Sequence, residues 1–315
     1  MEEANIMISR EGEAVKAIKD IFSGTVGGIA QVLVGQPFDT IKVRLQTQPE
    51  PKPGQPPLYS NMLDCVRKTS KEGFSAFYKG TLTPLVGIGA CVSIQFAVVG
   101  YMKRYFGEKN KNSFLTNPQL YISGATAGLV NSVISGPVEH IRTRLQVQVT
   151  PTKASASTQT QLYSGPIDCI KKIYSSYGIR GIYKGQVITM IREFQGFGGY
   201  FFVYEYLLQR AMIEENKKRE QVAKWKLLLF GAAAGFGMWI PVYPIDAVKS
   251  KLQTDGFTPQ TRQYKSTIDC FVKVYRNEGV KGFFKGFGAC MLRAAPVNAS
   301  TFVAYELAMR AIDKL

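Results

Sequence analysis

Three short stretches of this chain carry an acid, a base and an amide at one spacing. They are Asp39, Lys42 and Gln46 in PFDTIKVRLQ, Glu139, Arg142 and Gln146 in PVEHIRTRLQ, and Asp246, Lys249 and Gln253 in PIDAVKSKLQ. An acid and a base three residues apart share one face of a helix. Around a pseudo-threefold axis, each acid can also reach the base of the next copy. The chemistry on offer is a closed ring of three ion pairs. Each glutamine, four residues beyond its base, is placed to hydrogen-bond across a pair. Pro37, Pro137 and Pro244 open the three stretches and are expected to bend their helices inward so that the ring can form. The plainer reading is helix-terminal charge at a membrane interface; threefold repetition favours the ring.

A second group emerges on counting seven residues from Gly80, Gly185 and Gly286, which end the blocks FYKG, IYKG and FFKG. The count reaches Gly87, Arg192 and Arg293, and Glu193 follows Arg192. Arginine suits two-pronged carboxylate binding, and Glu193 suits a positively charged nitrogen. A purely structural Arg192–Glu193 pair is the alternative. Gly87 adds no side chain and is expected to leave space, with Cys91 and Gln95 lining it one and two turns on.

The elements that must position these groups are apolar. Uncharged runs cover residues 21–38, 80–102, 112–138 and 227–245, of 18, 23, 27 and 19 residues. About 20 residues span a bilayer, and a charge within a span marks function by default. The runs also hold Ser, Thr, Asn, Gln and Gly, so they do not face lipid on every side. Gly24-xxx-Gly28, Gly124-xxx-Gly128 and Gly231-xxx-Gly235 recur at equivalent positions and are expected to let helices approach closely. Between the runs lie YSNMLDCVRKTSKEG, YSGPIDCIKKIYSSYG and YKSTIDCFVKVYRNEG. In the first, Leu63, Val66 and Thr69 alternate with Asp64, Arg67, Lys68 and Lys71 at helical spacing. Such a helix is too charged to cross a membrane and lies along one surface. The polar, low-complexity segment 147–162 reads as a loop.

The fold expected is therefore an all-α membrane protein. Six transmembrane helices form three pseudo-threefold repeats, each with a short amphipathic helix on one side. A short segment, 1–17, precedes a single transmembrane domain, 18–315, with repeats at about 18–108, 117–212 and 224–315. The net charge of +16 is spread between the apolar runs, and no nucleic-acid-binding signature accompanies it. One histidine, His140, and five cysteines without a C-x-x-C imply no metal site, no cofactor and no disulfide framework. Cys65, Cys169 and Cys270 hold one repeated position and read as small buried apolar residues. The N-terminus has no apolar signal core and no acid-poor presequence, so any organelle address is expected to be internal.

These motifs resemble the mitochondrial carrier family, whose signature is P-x-[DE]-x-x-[KR]-x-[KR], then [DE]-G, then aromatic-[KR]-G. The resemblance runs from about residue 18 onward. It implies a multi-pass protein of the inner mitochondrial membrane, functional as a monomer, with both termini in the intermembrane space. The ion-pair ring becomes the matrix gate, and the amphipathic helices lie on the matrix side. Gly87, Arg192, Glu193 and Arg293 match the substrate contact points. An arginine–acid pair there resembles the carnitine, ornithine and fungal amino-acid carriers.

The family's cytoplasmic gate, aromatic-acid-x-x-base, is incomplete here. It reads Val99-Gly100-x-x-Lys103, Tyr204-Glu205-x-x-Leu208 and Tyr305-Glu306-x-x-Met309. At most one ion pair can form, with Tyr204 and Tyr305 as braces or as interface anchors. The turns at Gly80, Gly185 and Gly286 resemble cardiolipin sites, the alternative being plain interfacial anchors. One departure is Tyr177-Gly178, where Glu72-Gly73 and Glu278-Gly279 keep the family's acid. The implied function is alternating-access transport of an amino acid or similar zwitterion, without enzymatic chemistry. Carnitine/acylcarnitine exchange is the alternative within transport; a non-transporting scaffold or receptor is the alternative outside it.

Overall fold

The computed structural model describes residues 2–49, 56–109, 115–148, 163–216 and 218–312, and the regular elements among them are all helices, without a strand. Six long helices are α1 (Glu2–Thr47), α3 (Leu82–Lys109), α4 (Asn117–Val147), α6 (Gln186–Glu215), α7 (Lys224–Thr254) and α9 (Phe287–Ile312). Three short ones are α2 (Met62–Lys71), α5 (Pro166–Ile182) and α8 (Thr267–Phe283). At 1.5 Å per residue even α9 exceeds the hydrocarbon thickness of a bilayer. α1 runs unbroken from Glu2, so segment 2–17 continues the first long helix. Segment 147–162 lies mostly outside the described residues.

Local sequence fixes the ends of these helices. Asn61 and Ser266 cap α2 and α8 by accepting the amides of Asp64 and Asp269. Thr116 and Gln119 form a reciprocal box at the start of α4. Pro37, Pro137 and Pro244 lie inside continuous helices. Among the described residues, Trp225–Thr254 alone is long and apolar enough to pass as a span by composition. Large apolar side chains lie exposed along the long helices, among them Phe22, Val86, Phe96, Val187, Leu228, Phe302 and Leu307.

Closely packed pairs are α1 with α9, α3 with α4, α4 with α6, and α6 with α7. α1 meets α3 sparsely, chiefly through the 3-10 turn Phe74–Tyr78. The glycine pairs correct the expectation of threefold close packing. A Cβ on Gly124 would lie 2.4 Å from the Phe197 carbonyl oxygen, and one on Gly128 2.3 Å from that of Glu193. At Gly24, Gly28, Gly231 and Gly235 an added Cβ meets nothing within 4 Å. Of the three pairs only Gly124–Gly128 sits in such a contact; elsewhere other glycines take that part, Gly27 facing the Thr301 carbonyl oxygen at 3.1 Å and Gly237 facing Val203 at 2.9 Å.

Under the short helices sit three matching apolar cores, each with a tyrosine and a cysteine. They hold Tyr59 and Cys65 with Ile41 and Leu45; Tyr163 and Cys169 with Ile141 and Ile173; Tyr264 and Cys270 with Val248 and Val274. Leu63, Ile167 and Ile268, at one repeated position, point outward and are largely exposed, as an interfacial helix requires. Burial pushes the thiols up, to about 11 for Cys65 and about 12 for Cys169 and Cys270. At pH 8 the thiolate fraction is then about 10⁻³ or less. Maleimide at pH 8 should leave these three unmodified in the native protein and label them after denaturation, as read by mass spectrometry. Gly128→Ala should lower stability by about 1–3 kcal/mol through overpacking, whereas Gly231→Ala should be neutral or slightly stabilising. Melting in detergent separates the two.

Candidate functional site

The repeated charges meet at one end of the long-helix assembly. Arg142 Nη2 donates to Asp39 Oδ2 at 2.8 Å, Lys42 Nζ lies 2.6 Å from Asp246 Oδ2, and Lys249 pairs with Glu139. Each acid thus binds the base of another repeat, and the ring closes. Gln46 Nε2 reaches Asp246 at 3.3 Å. The other two glutamines do not brace their pairs, contrary to expectation. Gln146 donates to Thr40 and Gln253 to Thr189, hydroxyls one layer away. Gln36, not anticipated as a brace, accepts from Arg142 instead. Its signal was the polar residue before the signature proline, which Gly136 and Tyr243 hide in the other repeats.

The central arginines lie against this ring. Arg192 pairs with Glu193 and stands 3.8 Å from Glu139 and 3.5 Å from Asp246; Arg293 Nε lies 3.0 Å from Asp39 Oδ1. Five cations here face four carboxylates, which leaves one positive charge without an acid. Gly35 makes room for Arg293, since a Cβ there would sit 2.9 Å from its Nε. Trp239 spreads its ring beneath both layers, 4.5 Å from Lys42 Nζ and 5.7 Å from Arg192 Cζ. Neither residue was anticipated, because a glycine or an aromatic in an apolar run carries no mark of its tertiary neighbours. Gly87 departs from expectation. An added Cβ would meet the Val138 methyls at 3.1 and 3.2 Å, so this glycine admits α4 and does not open the cavity. Cys91 is half-buried nearby.

At the opposite mouth, Lys103 Nζ binds Glu205 Oε1 at 2.6 Å. Glu306 turns to Arg310 on its own exposed helix face, 2.9 Å away, and is not brought to Lys103. Tyr204 stacks parallel on Tyr200 with centroids 6.3 Å apart. Tyr305 packs by its Cβ near Gly27.

Gly80, Gly185 and Gly286 turn the chain into α3, α6 and α9 at φ of +78°, +78° and +80°. Each also touches the signature helix of another repeat: an added Cβ would meet the backbone of Arg142 and Lys42 at 3.0 and 2.9 Å, and Gln253 at 3.0 Å. Only glycine satisfies both demands. Beside Gly185 a groove of about 540 Å³ holds Arg180, Lys184, Arg262 and Lys265 between the starts of α6 and α8. Beside Gly286 a smaller one, about 270 Å³, holds Lys285, Ser60 and Asn61 between the starts of α9 and α2.

Residues 13–110, 113–215 and 220–314 each match the family model described as mitochondrial carrier protein. The chain belongs to the mitochondrial carrier family. It is a multi-pass protein of the inner mitochondrial membrane. The "Glutamate/glycine mitochondrial carrier ymc1" of Schizosaccharomyces pombe is 49% identical over 97% of this chain and 98% of its own. The "Mitochondrial glycine transporter YMC1" of Saccharomyces cerevisiae is 45% identical over 94% and 92%. The human mitochondrial carnitine/acylcarnitine carrier protein is 37% identical over 95% and 96%.

In this carrier the missing acid of the second repeat is replaced by a ring. Glu72 binds Arg44 in repeat 1, and Glu278 binds Lys251 and Lys285 in repeat 3. At Tyr177 the third repeat sends in Phe257, stacked 4.2 Å away at 13°. The guanidinium of Arg144 and the ammonium of Lys184 lie over the same ring, at 4.1 and 4.7 Å. Both also donate to the Asp255 carbonyl. Burial, with Arg144 close by, pushes the Lys184 ammonium down to about 8. Phe257→Ala should cost about 2 kcal/mol of stability, the sum of a stacked pair and partly desolvated cation–π contacts. Adding Tyr177→Glu should recover most of it by giving Arg144 a carboxylate; no recovery in thermal melts would refute this reading.

Proposed function

We propose that this carrier moves an amino acid or a closely related zwitterion by alternating access, and that its substrate opens the ion-pair ring by competing for the ring's own arginine contacts. The observation that carries this reading is the sharing of Asp39, Glu139 and Asp246 between the ring bases and the central arginines. An incoming carboxylate finds one surplus positive charge. By binding Arg293 or Arg192 it replaces Asp39 or Asp246 as their partner and weakens that acid's place in the ring. Glu193, buried at 2% exposure with one carboxylate oxygen unpartnered, takes the substrate's ammonium. Breaking a partner from a desolvated pair is costly, so an empty site keeps the ring shut and a filled one offsets the loss. No covalent step is needed.

Two relatives named as glutamate/glycine and glycine carriers support the amino-acid reading. Carnitine also bears a carboxylate and a cation, and the Trp239 face beside Arg192 suits a quaternary nitrogen. The ring side is assigned to the matrix and the Lys103–Glu205 side to the intermembrane space. Both grooves are walled by helix N-termini, and the basic one beside Gly185 best suits the phosphates of cardiolipin. Three repeats in one chain complete the ring, which supports function as a monomer.

Uptake into cardiolipin-containing liposomes, with labelled glycine, glutamate, ornithine, carnitine, malate and ADP, tests the proposal. Glycine or glutamate should enter, and Arg192→Ala and Arg293→Ala should each reduce uptake at least about a hundredfold. Glu193→Gln should weaken amino-acid uptake while sparing the fold. Uptake of carnitine alone would transfer the assignment to the exchanger reading. Uptake of malate or ADP alone would remove the role given to Glu193, and a folded protein that moves nothing would favour a scaffold.

A further inference from the structure

Two polar side chains of α4 are buried in the helix assembly with acceptor atoms unpaired. Asn131 is 2% exposed and Ser135 7%, and neither Asn131 Oδ1 nor Ser135 Oγ has a hydrogen-bond partner among the described residues. Other hydroxyls of the same helix satisfy themselves. Those of Ser123, Ser132 and Thr143 each donate to a carbonyl of the preceding turn at 2.7 Å. Ser135 has the same option and does not take it. An unpaired buried polar group is costly, and within a membrane span such a residue marks function by default.

Their place on α4 sets them beside the substrate groups. Gly128, Asn131, Ser135 and Glu139 follow at spacings of three and four residues, so they share one face of the helix. At one end of this strip a Cβ on Gly128 would lie 2.3 Å from the Glu193 carbonyl oxygen. At the other end Glu139 Oε1 stands 3.8 Å from Arg192 Nη1. Arg192 and Glu193 are neighbours on α6, so Asn131 and Ser135 occupy the stretch of α4 alongside that pair. Glu193 adds a third unpaired acceptor, Oε2, while its Oε1 is held by Arg192.

On the amino-acid reading above, we infer that Asn131 and Ser135 complete the ammonium subsite: with Glu193 Oε2 they present three acceptors to the three N–H donors of a protonated primary amine, and so select it over a methylated or quaternary nitrogen. The Trp239 face beside Arg192 attracts either kind of cation. The acceptors tell them apart. A trimethylated nitrogen offers no donor and leaves all three unpaired, the mismatch that a hydrogen-bonding site rejects most strongly.

The test is uptake of labelled glycine into cardiolipin-containing liposomes by the full-length protein. Unlabelled glycine and its N-methyl, N,N-dimethyl and N,N,N-trimethyl derivatives serve as competitors. All four carry a carboxylate and a positive nitrogen, and they offer three, two, one and no N–H donors. In the wild type, competition should weaken with each methyl, by about a hundredfold or more across the series. Asn131→Leu and Ser135→Ala should each raise the glycine KM about tenfold and flatten the series. Both should melt at or above the wild-type temperature in detergent, because neither removes a bond within the chain. An unchanged KM and an equally steep series in both variants overturn the inference while leaving the amino-acid reading in place. A lower melting temperature in both marks the two residues as structural and overturns it too. Wild-type protein that takes up carnitine and no primary amine overturns both. If Asn131→Leu does not fold, Ser135→Ala decides by the same measures.

Discussion

Everything at the centre of this carrier depends on three carboxylates that are each claimed twice. Asp39 is held by Arg142 and Arg293, Asp246 by Lys42 and approached by Arg192, and Glu139 by Lys249 and approached by Arg192. Each of the three therefore faces both a ring base and a central arginine, and removing either partner carries an electrostatic cost. The long helices exist to bring three distant segments of chain, about a hundred residues apart, to within an ion pair of each other.

The pseudo-threefold plan is strict at that ring and relaxed elsewhere. The apolar cores beneath the short helices repeat almost residue for residue, and so do the left-handed glycines at the start of α3, α6 and α9. The second repeat breaks the symmetry in three places. Its glycine pair is packed shut, its residue before the Gly178 turn is a tyrosine stacked on Phe257 where the other repeats have an acid, and its Glu205 carries two cations, Lys103 and Arg219. Each change gives the second repeat a contact that its two counterparts lack.

The repeat, the six long helices, the ring partners and the two central arginines were legible in the chain by itself. The physical reason is that charges in apolar helices are too costly to occur three times at one spacing without a shared purpose, so their pattern survives translation into structure. Charge type and helical spacing are local properties. What tertiary structure alone decided is contact across elements that share no spacing. Gln146 and Gln253 have the same sequence context as Gln46, yet their amides find hydroxyls and not the ring. Gly87 looks like empty space and is filled by Val138. Phe257 and Arg219 sit in connections whose sequence shows nothing of the cation cluster or buried acid they serve. A side chain's type announces what it can bind; which partner it meets is settled only when distant helices pack, since that packing fixes where each atom lies within a few ångströms.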